Sequence, residues 1–206
     1  MKDIVFEKMY RRINMRFIGI DPSTKTGFVA LDENGQVLRA KELTGVGDKD
    51  PLRMITLIDE VMAHMQKGDI ITVEGFGFAT QQGIQLGGIG WGMRMSLTRR
   101  GFKYYEVAPN AVKKFVGVTG FTGEVGDKKR LTGPEKKKVV MKAVTDHFGF
   151  SHKSDNVVDA YILAQIARIM YQFNRPDFIG CPVYQAEVVK SILGNKTIEM
   201  ESVKNG

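Results

Sequence analysis

Hydrophobic positions change their period several times along this chain, and each change marks an element. Met15 to Ile20 is apolar and β-prone and runs into Asp21, Pro22 to Thr26 reads as a turn, and Gly27 to Leu31 reads as a second strand. Glu33-Asn34-Gly35 is a hairpin signal, after which Gln36 to Leu43 reads as a third strand. The chain is therefore expected to open with an antiparallel three-strand meander. From Pro51 to Met65 the apolar residues Leu52, Ile55, Ile58, Val61, Met62 and Met65 fall at helical spacing, and Lys67-Gly68 closes that helix. Asp69 to Glu74 is a short strand. Its unbroken apolar run predicts burial on both faces, as in a central parallel strand, and it ends in a carboxylate.

Thr80 to Arg100 reads as a helix despite Gly83, Gly87, Gly88, Gly90 and Gly92. Each glycine costs a helix roughly 1 kcal/mol relative to alanine, so close approach of another backbone is expected there. Tyr104 to Val107 reads as a strand and Pro109 to Val116 as a short helix with proline in its first turn. Gly117 to Gly133 carries five glycines and three consecutive bases and reads as a mobile basic loop. Pro134 to Phe148 and Asn156 to Phe173 read as helices, and Tyr184 to Leu193 as a last short one. The order predicts an α/β fold: a mixed five-stranded sheet, three antiparallel strands followed by parallel strands, flanked by helices. Residues 15–173 form the expected domain, with an N-terminal extension over 1–14 and a C-terminal extension over 174–206.

At 206 residues one domain with additions is expected. The chain is 43% hydrophobic and 26% charged, which fits a globular protein and not a disordered one. No apolar run approaches the roughly 20 residues that span a bilayer, so no membrane role is expected. The opening MKDIVFEKMYRRIN lacks the apolar core of a secretory signal. The one cysteine, Cys181, excludes an internal disulfide framework and a multi-cysteine zinc cluster, and fits a reducing, cytoplasmic setting. The net charge of +7 is concentrated: Arg99 to Lys142 holds twelve bases against four acids, leaving the rest close to neutral. A basic face on a neutral body is the footprint of phosphate-backbone binding, and a solvated helix face is the plainer alternative. The candidate substrate-binding bases are Lys113, Lys114, Lys128, Lys129, Arg130, Lys136, Lys137 and Lys138.

Carboxylates supply the candidate chemistry. Asp21 ends the first strand and Glu74 the fourth, so if those strands are neighbours both side chains emerge at one edge. In SDNVVDAYILA, Asp155 and Asp159 stand four apart and share one face at a helix start. Singly, each has a plainer reading as turn former, solvated edge or helix cap. Together, four converging carboxylates repel and raise one another's pKa, and hard divalent cations such as Mg²⁺ or Mn²⁺ relieve that repulsion. Two such metals about 4 Å apart can activate a water and stabilise the leaving oxygen of a phosphodiester.

These residues resemble the RuvC-type Holliday-junction resolvases, which have the ribonuclease H-like fold. FIGIDPSTKTGFVAL is similar to that family's first strand, catalytic aspartate and hairpin, and ITVEGFGF to its second acidic site. EVAPNAVKKFVG and EKKKVVMKAV resemble its basic helices, and DNVVDAYILAQIA its closing acidic motif. The match runs from about Met15 to Met170, and the layout is more similar to phage-type members than to the bacterial enzyme. The resemblance implies a metal-dependent endonuclease that cuts a four-way DNA junction as a homodimer. It implies Asp21, Glu74, Asp155 and Asp159 as ligands of two Mg²⁺, which Mn²⁺ can replace. The family's third acid usually stands at the position of Asn156, so Asp155 is preferred and Asn156 is a lesser candidate. Lys113 or Lys114, together with Lys136, match family lysines near the scissile phosphate, and Lys136 is the candidate catalytic lysine. Phe76 and Phe78 flank the position of a junction-probing aromatic, and core packing suits either equally well. Gly83, Gly87, Gly88 and Gly92 match a helix that in the family pairs with its twofold mate; packing against its own sheet is the alternative.

Three rivals stand beside this reading. GIDPSTKTG is also similar to the first phosphate motif of the actin and sugar-kinase superfamily, but the chain beyond that motif is too short for the second domain those proteins need. A catalytically inactive branched-DNA-binding protein, signalled by Asn156 and the shifted Asp155, is separated by metal-dependent cleavage. A ribonuclease H-like nuclease acting on flaps or RNA–DNA hybrids is separated by substrate. Serine or cysteine hydrolysis finds no support, because His64, His147 and His152 are scattered.

Overall fold

The alternation of inward and outward side chains along two strands divides the core of the computed structural model, which describes residues 15–76, 83–123 and 127–204. In β1 (Phe17–Asp21) and β2 (Thr26–Leu31) every residue is buried, so both faces of the sheet are covered. Phe17, Val29 and Leu31 point to one face, while Ile18, Ile20, Phe28 and Ala30 point to the other. β3 (Val37–Leu43) is the exposed edge. β4 (Ile70–Glu74) and β5 (Tyr104–Val107) complete the sheet in the order β3-β2-β1-β4-β5. β2 runs antiparallel to both β1 and β3, and β4 runs parallel to both β1 and β5. This is the expected mixed five-stranded α/β sheet. Thr72 locks the β1–β4 register, its hydroxyl lying 3.2 Å from the carbonyl of Ile18 and 2.8 Å from that of Leu163.

The second face is covered by α1 (Leu52–Ala63) and α2 (Gly83–Arg99), through Leu57, Val61 and Met62 on the first and Ile89, Met93 and Leu97 on the second. The first face is covered by α3 (Pro109–Phe115), α4 (Gly133–Phe148), α5 (Asp155–Phe173) and α6 (Val183–Lys204). α5 is the central helix, buried along most of its length against β1, β2 and β4. α6 runs well beyond the short helix expected at Tyr184–Leu193, and its Val188, Val189 and Ile192 join the same core as α5. The C-terminal segment therefore contributes to the packing of the domain.

Two local readings change. The stretch from Gly117 to Gly133, expected as an irregular loop, contains a short hairpin: β6 (Phe121–Thr122) pairs antiparallel with β7 (Lys129–Arg130). The hairpin leads directly into α4, which opens with a capping box between Thr132 and Glu135. The glycines of α2 make room within the chain: a Cβ at Gly88 would stand 3.2 Å from Met54 and one at Gly92 2.5 Å from Ile58, both on α1. Gly90 lies under the Phe76 ring, and Gly87 faces open space. The expectation that Gly88 and Gly92 serve a twofold mate gives way to helix–helix contact with α1. Residues 1–14, Phe78 and the expected helix start at Thr80 lie outside the described residues.

Candidate active site

Parallel pairing of β1 with β4, with Ile20 opposite Val73, carries the next residues, Asp21 and Glu74, out of the same sheet edge side by side. Asp21 is only 6% exposed. The α5 aspartates reach the same edge because nothing holds that helix off the sheet. At Gly19 in β1 a Cβ would fall on the Ala160 carbonyl, and at Gly27 in β2, paired with Asp21, on the Asn156 carbonyl. Only glycine permits this contact between helix and strand backbone. Ser154 caps α5 by accepting from the Val157 amide, which sets Asp155 in the first turn and Asp159 one turn further.

The electrostatics report a crowded set of acids. Burial, then the charges of Glu74, Asp159 and Asp155, push the Asp21 carboxyl well above the ordinary carboxylate range, and Asp21 and Glu74 share a hydrogen bond. Burial raises Glu74, with partial relief from that bond and from Lys113. Burial and the Glu74 charge raise Asp159 to about 7, against relief from Lys113. Asp155 differs: burial pushes it up, but an ion pair with Lys137 outweighs this and holds it below the usual range. Among the described residues no three His, Cys, Asp or Glu side chains are gathered closely enough to hold a metal ion as they stand. Asn156 turns away, its amide donating to the Lys25 carbonyl at 2.8 Å, so of the two candidates it is Asp155 that faces the other acids.

A cleft of about 600 Å³ opens beside Asp155 and Asp159, with Lys113, Lys136 and Lys137 on its walls. A second, of about 470 Å³, is lined by Lys113, Lys114, Phe121, Arg130 and Lys136 among others. Lys113 and Lys136 border both. Lys114 is also paired with Glu187 at 2.7 Å. Lys128, Lys129 and Lys138 are exposed and line neither cleft. Lys137, grouped by sequence with the phosphate-binding bases, pairs with Asp155, while Lys136 lines the cleft beside it.

Phe76 is 37% exposed just beyond Glu74, its ring 5.4 Å from that of Trp91. Beneath it lies Arg94, which sequence reasoning missed. Arg94 is 2% exposed, with its guanidinium 4.3 Å from the Phe76 ring centre. It bonds Glu106 at 2.6 Å and donates to the carbonyls of Glu74 at 2.9 Å and Gly90 at 3.0 Å. It thus ties the end of β4 to α2 and β5, and supports the residue that presents the Glu74 carboxylate. The signal available in the sequence was an arginine set among the apolar positions Ile89, Met93 and Leu97.

No protein-family profile matches the sequence, and no curated protein matches it. Solved structures do. RuvC of T. thermophilus in complex with a Holliday junction substrate superposes with a TM-score of 0.54 at 16% identity, over 76% of this chain and 96% of that one. A second Thermus thermophilus RuvC structure gives a TM-score of 0.52 at 16% identity, over 77% and 97%. With the sheet order and the closing helix on its face, these likenesses establish that the chain has the ribonuclease H-like fold seen in RuvC.

Proposed function

We propose that this protein is a metal-dependent, structure-selective DNA endonuclease that resolves four-way junctions by paired nicks. The observation that carries the reading is the meeting of strand-end Asp21 and Glu74 with the α5 pair Asp155 and Asp159 beside clefts walled by lysine. The likeness to a RuvC structure bound to a Holliday junction supports the choice of substrate.

The donor set fits a hard cation: of four carboxylates, Asp21 and Asp159 are raised by burial and neighbouring acids, Glu74 by burial, and Lys137 neutralises Asp155. Bound by Asp21, Glu74, Asp155 and Asp159, two Mg²⁺ or Mn²⁺ ions would supply charge neutralisation and Lewis acidity for phosphodiester hydrolysis. Lys113 and Lys136 hold the phosphate at the cleft wall and place positive charge where negative charge develops at phosphorus. Lys137, paired with Asp155 here, would be free to join them were Asp155 to hold a cation. Hydrolysis adds water across the P–O3′ bond and leaves 5′-phosphate and 3′-hydroxyl ends.

Two symmetric cuts need two sites on a twofold axis. We infer that a second copy covers the face where Ile84, Trp91 and Met95 of α2 lie exposed together with Leu52 and Ile55 of α1. The spacing of the α2 residues makes one stripe, and Gly87 leaves the approach open.

The test is incubation of an end-labelled four-way junction and a matched linear duplex with the full chain, in Mg²⁺ and in EDTA, beside Asp21→Asn. Paired nicks confined to the junction, lost in EDTA and at least about 10³-fold slower in the variant, are expected. Tight junction binding without cleavage in either metal would assign a binding protein instead, and equal cutting of duplex, flap or hybrid would remove the junction from the reading.

A further inference from the structure

The hairpin inserted ahead of α4 has a defined geometry and a chemistry of its own. Phe121 and Arg130 are directly opposed in the β6–β7 pair, which puts both side chains on one face of the ribbon. That face borders the second cleft, which is lined by four cations, Lys113, Lys114, Arg130 and Lys136, and, among the described residues, by no acid. Phe121 is 53% exposed there. A bare ring among cations is the combination that recognises a nucleotide with an uncovered base: the ring takes the base face and the cations take the phosphate. The two described strands are tied to each other and to α4. The Leu131 amide bonds the Gly120 carbonyl at 3.0 Å, the Thr119 hydroxyl bonds the Phe121 carbonyl at 2.9 Å, and the chain passes at once into the capping box of α4. Lys113 and Lys136 wall both this cleft and the carboxylate cleft, so one nucleic-acid strand lying across them enters both.

We propose that the β6–β7 hairpin forms a second subsite, in which Phe121 stacks on an unpaired or unstacked nucleotide of the strand being cut while Arg130 and Lys114 hold its phosphate. The inference rests on the nuclease reading above and deepens it. It makes an exposed base face beside the scissile phosphate part of what the enzyme selects. In duplex DNA each base face is covered by its neighbours, whereas a branch point leaves faces open. Lys114 gives up Glu187 to take the phosphate, at small cost because both side chains are half exposed.

The experiment measures affinity of the full chain, in an Asp21→Asn background that stops cleavage, for a four-way junction and for linear duplex across a salt series. Phe121→Leu keeps an apolar side chain without a ring, Phe121→Tyr keeps the ring, and Arg130→Ala removes the cation. Expected are a loss of about tenfold in junction affinity for Phe121→Leu with duplex affinity unchanged, and recovery in Phe121→Tyr. Arg130→Ala weakens both substrates and lowers the salt slope by about one. Unchanged junction affinity in Phe121→Leu, with the parent still preferring the junction, overturns this inference alone. A parent chain with no preference for junction over duplex overturns the functional reading, and the subsite with it.

Discussion

At pH 8, without a counter-ion, Asp159 is a partly buried carboxylate facing Glu74 and Asp155, with Lys113 and Lys137 offsetting only part of the repulsion. Its folded-state pKa of about 7 lies above the ordinary value of 3.8. The folded chain therefore holds this proton more tightly than the unfolded chain. The stability linked to it is complete below about pH 4 and is lost as pH rises through 7. Asp21 and Glu74 shift in the same direction and add to the effect. The metal-free protein should melt at lower temperature at pH 8 than at pH 5. Asp159→Asn should melt higher than the parent at pH 8, the gap closing toward pH 4, while cleavage falls. Differential scanning calorimetry over that range checks this, each kcal/mol recovered being worth about 2–4 °C for a chain of this size. Mg²⁺ should raise the melting temperature of the parent more than that of Asp159→Asn. A variant that melts no higher than the parent at pH 8 would show that the carboxylates do not strain the fold. The same cost is the reason these acids can be read as functional: a partly buried set of acids that repel one another destabilises a fold unless a ligand relieves it.

At the scale of elements, the site depends on how closely α5 lies on the sheet. The Cβ of an alanine at position 19 or 27 would occupy the space of a helix carbonyl, so either substitution must lift the N-terminal half of α5. Gly19→Ala and Gly27→Ala are each expected to cost about 3 kcal/mol or more in urea unfolding, beyond what ordinary overpacking costs. Where the protein still folds, cleavage should drop further than stability accounts for, because Asp155 and Asp159 are drawn away from Asp21. Near-normal unfolding midpoints would mean that the helix sits higher than this structure places it. These two glycines carried no signal in the sequence that set them apart from the glycines of α2. Their requirement comes from a helix more than a hundred residues away.

For the whole molecule, the proposed dimer makes the exposed stripe on α2 the feature that would separate a single nick from a paired cut. Ile84 is 97% exposed and Met95 is exposed one helical face along. Neither contributes to the buried core, so the Ile84→Glu and Met95→Glu double variant should fold normally. By sedimentation it should be a monomer where the parent is expected to be a dimer. On a junction held closed by a supercoiled cruciform plasmid it should leave nicked circles rather than linear product. A parent chain that is monomeric at micromolar concentration and still linearises the plasmid would remove the homodimer from the proposal.

The succession of elements, the meander, the positions of Asp21 and Glu74 at strand ends and the Asp155–Asp159 pair on one helix face were all legible in the sequence, whereas the pairing of β1 with β4 was not. Each comes from local rules: period of burial, turn chemistry, and helical or extended spacing. The basic segment was legible too, since charge is a count. Tertiary structure alone decided the rest. It chose α1 as the surface that the α2 glycines accommodate, because close packing depends on which helix lies opposite. It folded the basic loop into a hairpin, whose two-residue strands are too short to carry a periodic signal. It turned Asn156 onto the Lys25 carbonyl and set Lys137, not Lys136, against the acids, since adjacent residues on a helix point about 100° apart and only the packed orientation of α4 and α5 says which faces the site. And it buried Arg94 behind Glu74, where a charge is tolerated because Glu106 and two carbonyls from different elements meet around it.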